Sequence, residues 1–253
     1  MQDEKYDLGA DGGMRFAKGR FGKWFENFWY HYKWHTLITL FVVLVITICT
    51  VQICKRPDYD IHIVYAGSAN VRGSKNENDI SEYEKICKSL NEATEDFDGN
   101  GSVSSSLEAI YLLSESEISD IQESVQGTGN EFNYNRENQN DFRDRLYYSD
   151  IYVFLISESI YKSYQVTEQN TPMFSSIRDL CEAGSSAVFL DDSAVYLSST
   201  EFGKLPGLCD LPDDTLITLR SIGAISSHFD KDRTTAEYEN AKKVVYNMIN
   251  YAG

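Results

Sequence analysis

The stretch Thr36–Cys54, TLITLFVVLVITICTVQIC, holds no charged residue and divides the chain in two. Nineteen residues rising about 1.5 Å each make a helix of roughly 29 Å, close to the hydrocarbon thickness of a bilayer. The β-branched richness would also suit a buried strand, but the run is about three times too long for one. Its polar members fit a spanning helix. Thr36, Thr39, Thr47 and Thr50 can bond back to helix carbonyls, and Gln52 lies near the end, within reach of water. A cleaved signal peptide fits poorly, because more than thirty residues precede the run and no A-x-A-like site follows it. The remaining alternative is a buried core helix.

The flanks favour the membrane. Residues 24–35, WFENFWYHYKWH, bring Trp24, Phe25, Phe28, Trp29, Tyr30, Tyr32 and Trp34 to the place where aromatic rings sit at the headgroup level. Arg15, Lys18, Arg20 and Lys23 lie just upstream, where anionic headgroups attract cations. Counting Lys33, five basic residues lie within about twenty residues before the span, against Lys55, Arg56 and Arg72 after it. The positive-inside rule then predicts a cytoplasmic N-terminus and a C-terminal domain outside the cell membrane. The expected organisation is a cytoplasmic stub over 1–34, a transmembrane helix over 35–55 and an extracytoplasmic domain over 56–253.

Residues 57–253 carry 15 Lys or Arg against 34 Asp or Glu, whereas residues 1–34 are nearly balanced. So acidic a surface repels phosphates and argues against a nucleic-acid partner. It identifies no cationic ligand, since acidity also simply keeps a domain soluble. Cys49 and Cys54 fall in the span, leaving Cys87, Cys181 and Cys209 outside it. Their odd number and wide spacing give neither a disulfide framework nor a C-x-x-C metal pattern, and one pair among them stays open.

Periodicity divides the external part into alternating elements. Strands are expected at Asp60–Ala66, Val103–Leu113, Ala187–Leu190, Ala194–Leu197 and Leu216–Arg220, with Ile151–Ile156 (IYVFLI) hydrophobic throughout, as in a sheet covered on both faces. Helices are expected at Ile80–Ala93, Glu115–Val125, a segment ending near Arg145, Ser157–Tyr164, Ser175–Ala183 and Thr235–Tyr251. The fold class is therefore one transmembrane helix followed by a single α/β domain with a mixed or largely parallel sheet.

Several segments carry a resemblance: Tyr32–His35 running into the span, a strand ending in Ala66-Gly67, SDIYVFLISESIY (Ser149–Tyr161), and Ala194–Ser221. Their order resembles uncharacterised single-pass envelope proteins of Gram-positive bacteria, whose external part is similar to a shortened type 2 solute-binding domain. In such domains a strand corresponding to Ile151–Ile156 leads toward a second lobe and a ligand cleft. This chain lacks the residues for a complete second lobe, and no ligand residues carry over.

One motif invites a metal. Asp96-x-Asp98-x-Asn100-Gly101 matches the first half of a calcium loop, with oxygens at positions 1, 3 and 5 and glycine at 6. Position 12 is Leu107 where a bidentate Glu belongs, with Glu108 one place late. A simple turn is the favoured reading, because Asp, Asn and Gly supply left-handed conformations and local hydrogen bonds. A bound Ca²⁺ would stiffen that turn. The pairs Asp191-Asp192 and Asp213-Asp214 border turns and read as turn residues. Outside the membrane region the histidines are His62, on a strand, and His228; no G-x-S-x-G elbow or phosphate loop accompanies them. The expectation is a non-enzymatic, membrane-anchored domain that binds a small ligand or another envelope protein through the loops after Ile156 and Leu197, with lipid as its other partner. The alternatives are an accessory subunit of a membrane complex and, third, a hydrolase built around His62 or His228.

Overall fold

The computed structural model describes residues 20–54, 59–71, 81–115, 117–119, 130–165, 171–222 and 231–253. The chain forms two compact units, Met1–Pro57 and Asp58–Gly253. In the first, the described residues make one helix, α1 (Arg20–Cys54). Residues 23–56 contain neither glycine nor proline, so the helix runs unbroken from the aromatic stretch into the apolar run. Phe28–Val51 is long and apolar enough to cross a membrane, with a mean hydropathy of 2.2, and none of its residues is buried. Thr47 and Thr50 donate to the carbonyls of Val43 and Ile46, each at 2.8 Å, which satisfies their hydroxyls inside the helix. Trp24, Phe28 and Tyr32 stack along one face at 5.6 and 5.4 Å between ring centroids, as i, i+4 neighbours must.

The second unit is built on a six-stranded sheet in the order β2-β1-β3-β6-β5-β4. The strands are β1 (Ile61–Gly67), β2 (Ser105–Tyr111), β3 (Val153–Ser157), β4 (Phe189–Asp191), β5 (Ala194–Tyr196) and β6 (Thr215–Leu219). β2, β1 and β3 are mutually parallel, while β6, β5 and β4 follow in antiparallel pairings. Of the two sheets the sequence allows, mixed or largely parallel, the mixed one forms.

Two apolar layers explain why the central strands read as hydrophobic on both sides. One face of the sheet, with Ile63, Tyr65, Leu155 and Ile217, packs against Ile86 and Leu90 of α2 (Glu82–Asn91) and Val244, Val245 and Met248 of the helix Lys231–Ile249. The other face, with Val64, Ala66, Phe154 and Ile156, receives Phe142 and Leu146 of α3 (Asn130–Tyr148) and Ile160 and Tyr161 of α4 (Glu158–Ser163). The last helix, Lys231–Ile249, is α5. Fully burying a side chain such as Phe154 stabilises the fold by roughly 1.5–3 kcal/mol. The start of α2 is set by a capping box, with the Ser81 hydroxyl accepting the Glu84 N–H while the Glu84 carboxylate accepts the Ser81 N–H.

Buried Arg220 ties α3 to the sheet. Its guanidinium donates to the carbonyls of Leu146 (2.8 Å) and Ser149 (2.6 Å), which the end of the helix leaves without intrahelical donors.

Several expectations change. Ser175–Ala183 is not an α-helix: only Arg178–Leu180 coils, as one 3₁₀ turn. Its donors are drawn elsewhere, Ser175 N–H to Leu219 O and Ile177 N–H to Asp192 O, which straps the segment to β6 and to the β4–β5 turn. Strand Ile151–Ile156 begins at Val153, and α3 ends at Tyr148 rather than Arg145. Glu115 and residues 117–119 are helical, and the rest of the helix expected to reach Val125 lies outside the described residues, as does His228. Cys87, Cys181 and Cys209 are all free, so none of them pairs. His62 is exposed at the start of β1, edge-on to Tyr59, but the face it was expected to leave open is covered further along, at Val64 and Ala66.

Candidate functional site

The winding of the strand order reverses between β1 and β3. From β1 the chain crosses through α2 to β2 on one face, and from β2 it returns through α3 to β3 on the other. In an open α/β sheet, this switch point opens a crevice at the carboxyl ends of the strands, where ligands collect. Antiparallel β6 places its amino end at the same edge, through the pair Ser157–Thr215, and β5 ends there through Tyr196–Leu216. The loops after Ile156 and Leu197 therefore share one edge of the sheet with the loop after β1.

Polar side chains gather at that edge. Tyr65, buried along β1, turns its hydroxyl back over Gly67 to accept the Ala69 N–H at 3.0 Å. Burial pushes its pKa up to about 12. Glu117 accepts from the N–H and hydroxyl of Ser114, both at 2.7 Å. Against the cost of burial, those bonds and one from the Ser68 hydroxyl hold Glu117 below the ordinary carboxylate range. Glu158, at the first turn of α4, is held low by Lys162 and by the Tyr196 hydroxyl at 2.7 Å. The Asp214 carboxyl is pushed up, first by lost hydration and then by the negative charges of Glu117 and Glu158. Three carboxylates, two phenols and two serines thus share the edge. Such a set can attract a cation or accept hydrogen bonds from an amide or amine.

Beside this edge lies a cleft of about 490 Å³, within the range of ligand pockets. It is lined by Ala69, Asn70 and Val71 of the loop after β1, residues 108–111 of β2, and Asn138 and Asp141 of α3. This cleft sits at the β2 side of the sheet, beside the loop after β1.

The calcium-like turn is placed elsewhere, at the amino ends of β1 and β2. Asp96 and Asp98 come together there with Asp60, their carboxylate oxygens within 4.8 Å of one another, close enough to share one cation. Protein donors already engage these groups. Asp60 accepts from the N–H of Phe97 (2.8 Å), Asp98 (3.3 Å) and Ser104 (2.9 Å), and Asp96 from Gly99, Asn100 and Gly101. The Gly101 bond, first among several, keeps Asp96 below its usual range. Asn100 binds the same cluster as a donor, its side-chain N–H meeting Asp98 at 2.7 Å, while its carbonyl oxygen accepts from the N–H and hydroxyl of Ser102. Leu107 is buried, and Glu108 faces Arg145.

The paired acids are divided among structural tasks. Asp191 accepts the Tyr161 hydroxyl and the Ser193 N–H, while Asp192 meets Arg178. Asp213 and Asp214 use their carbonyls to hold Ser198 and Glu158. Among the edge groups, Tyr65, Glu117, Glu158 and Tyr196 escaped the sequence reading. The available signals were Gly67-Ser68 after a buried strand and a Ser-x-x-Glu spacing at Ser114 and Glu117. Comparisons of the chain with protein-family models, with curated proteins and with solved structures found no match in any of the three.

Proposed function

We propose that the chain is a single-pass membrane protein whose α1 anchors a non-enzymatic binding domain outside the cell membrane. The domain engages its ligand or protein partner at the carboxyl-end edge of β2, β1 and β3. The observation that carries the anchor is the exposure of the apolar run: Leu40, Phe41 and Ile46 are 63 %, 67 % and 58 % exposed in a helix of spanning length. A hydrocarbon phase is the solvent that such a surface requires. The excess of basic residues before the span supports a cytoplasmic N-terminus. The switch point and its adjoining cleft support binding at the carboxyl edge. The segment order that resembles Gram-positive envelope proteins agrees with this reading.

Photo-crosslinking side chains placed at Ser68, Ser159 and Ser198 of the full chain in intact cells provide the test. Adducts from these positions and not from Ser104 or Asp150, at the opposite edge, are the expected result. Adducts confined to the opposite edge would overturn the binding reading.

A further inference from the structure

β2 is an edge strand, and side chains cover several of its outward backbone groups. Its even-numbered residues bond to β1, as Leu112 N–H to Gly67 O and Asp60 N–H to Ser104 O show at either end. The odd-numbered residues therefore point away from the sheet. The Ser105 N–H donates to Asn91 Oδ1 at 2.8 Å. The backbone of Leu107 meets Cys87 and Tyr83. Tyr111 O accepts from Asn138 Nδ2 at 2.6 Å, and Leu113 N–H and C=O are both held by Asn135.

Ala109 stands in the middle of this series, and no group among the described residues reaches its outward N–H or C=O. Here the cleft opens. Four consecutive strand residues line it, and consecutive residues alternate faces, so the cleft runs along the strand's edge between α3 and the loop after β1. Its charge is acidic. Arg145 Nε holds both oxygens of Glu108, at 2.8 and 2.7 Å, whereas exposed Asp141, one helical turn earlier, has no ion-pair partner among the described residues.

We propose that this cleft takes an extended, basic peptide segment, which adds to the edge of β2 by pairing the C=O and N–H of one of its residues with the N–H and C=O of Ala109. The inference rests on the carboxyl-edge binding reading and names the partner class. Strand addition supplies two main-chain hydrogen bonds, and Asp141 selects a cationic side chain beside them. The asparagine caps on either side of Ala109 shorten the stretch of edge open to pairing, which limits indiscriminate edge-to-edge association.

The test uses the full chain in zwitterionic nanodiscs, with ¹⁵N-alanine labelling. Three blocked peptides are added: acetyl-Lys-Val-Lys-Val-Lys-amide, its counterpart with Glu for Lys, and the Lys peptide N-methylated at alternate amides. The Lys peptide should shift the Ala109 resonance and bind about tenfold more tightly than the N-methylated form, the equivalent of one lost hydrogen bond. Asp141→Asn should weaken the Lys peptide by about two- to fivefold with an unchanged melting temperature. An unmoved Ala109 resonance, or equal binding of all three peptides, would overturn the proposal. If cross-linking in cells still reports the carboxyl edge, only this inference falls; if both fail, the binding reading falls with it.

Discussion

At Gly67 the backbone of β1 meets its own side chain. A Cβ there would stand 2.6 Å from the Tyr65 hydroxyl and 3.0 Å from its ring, so glycine is required by close approach. Gly67→Ala is predicted to displace the ring, break its bond to Ala69 and lower stability by about 1–3 kcal/mol, read from urea unfolding. The loss should shrink in a Tyr65→Phe background, which removes the nearest atom. Arg220 makes a second residue-scale case. Desolvation lowers its pKa, yet the guanidinium stays buried because it closes the end of α3. Arg220→Met should cost about 3 kcal/mol, since it strands two carbonyls and removes charge-assisted bonds. Asp214 works in the opposite sense. Its folded pKa is raised, so the stability it contributes is complete below its unfolded value of 3.8 and is lost as the pH rises through the folded value. Asp214→Asn should therefore raise the melting temperature at pH 7, with the gain vanishing toward pH 3. A constant difference across that range would remove the electrostatic explanation.

Among the elements, β2 determines how the sheet ends. Buried Asn135 satisfies both backbone groups of Leu113. Asn135→Ala is expected to cost about 1–2 kcal/mol and to raise the fraction of dimer in sedimentation, because it uncovers strand edge. This is also the scale at which the sequence was most legible. IYVFLI announced a strand covered on both faces because every residue from Tyr152 to Ile156 is buried. The spacing Ile86–Leu90 announced α2 for the same reason. Ser175–Ala183 misled because its backbone donors go to Leu219 and Asp192, partners distant in the sequence that local periodicity cannot reveal. The edge groups were hidden in a different way. Tyr65 reads as one more core residue, and Glu117 as one acid among many, until the register brings the strand ends together. The calcium-like turn was found at once, yet Asp60, which organises it, lies some forty residues away from Ser104 in the chain.

At the scale of the whole molecule, an exposed apolar helix and a strongly acidic domain belong to different solvents. The domain has its own compact unit and its own two-layered core. Removal of residues 1–57 is thus expected to leave a water-soluble protein with a cooperative thermal transition, whereas the full chain should require detergent or lipid. The central claim is that α1 anchors this domain outside the membrane, with the N-terminus within. Proteinase K applied to intact cells that carry the chain with an epitope at each terminus measures this directly. The account predicts loss of the C-terminal epitope while the N-terminal epitope survives on a membrane-bound fragment that ends just beyond the span. Survival of the C-terminal epitope until the cells are broken, or recovery of the full chain from the soluble fraction, would contradict it.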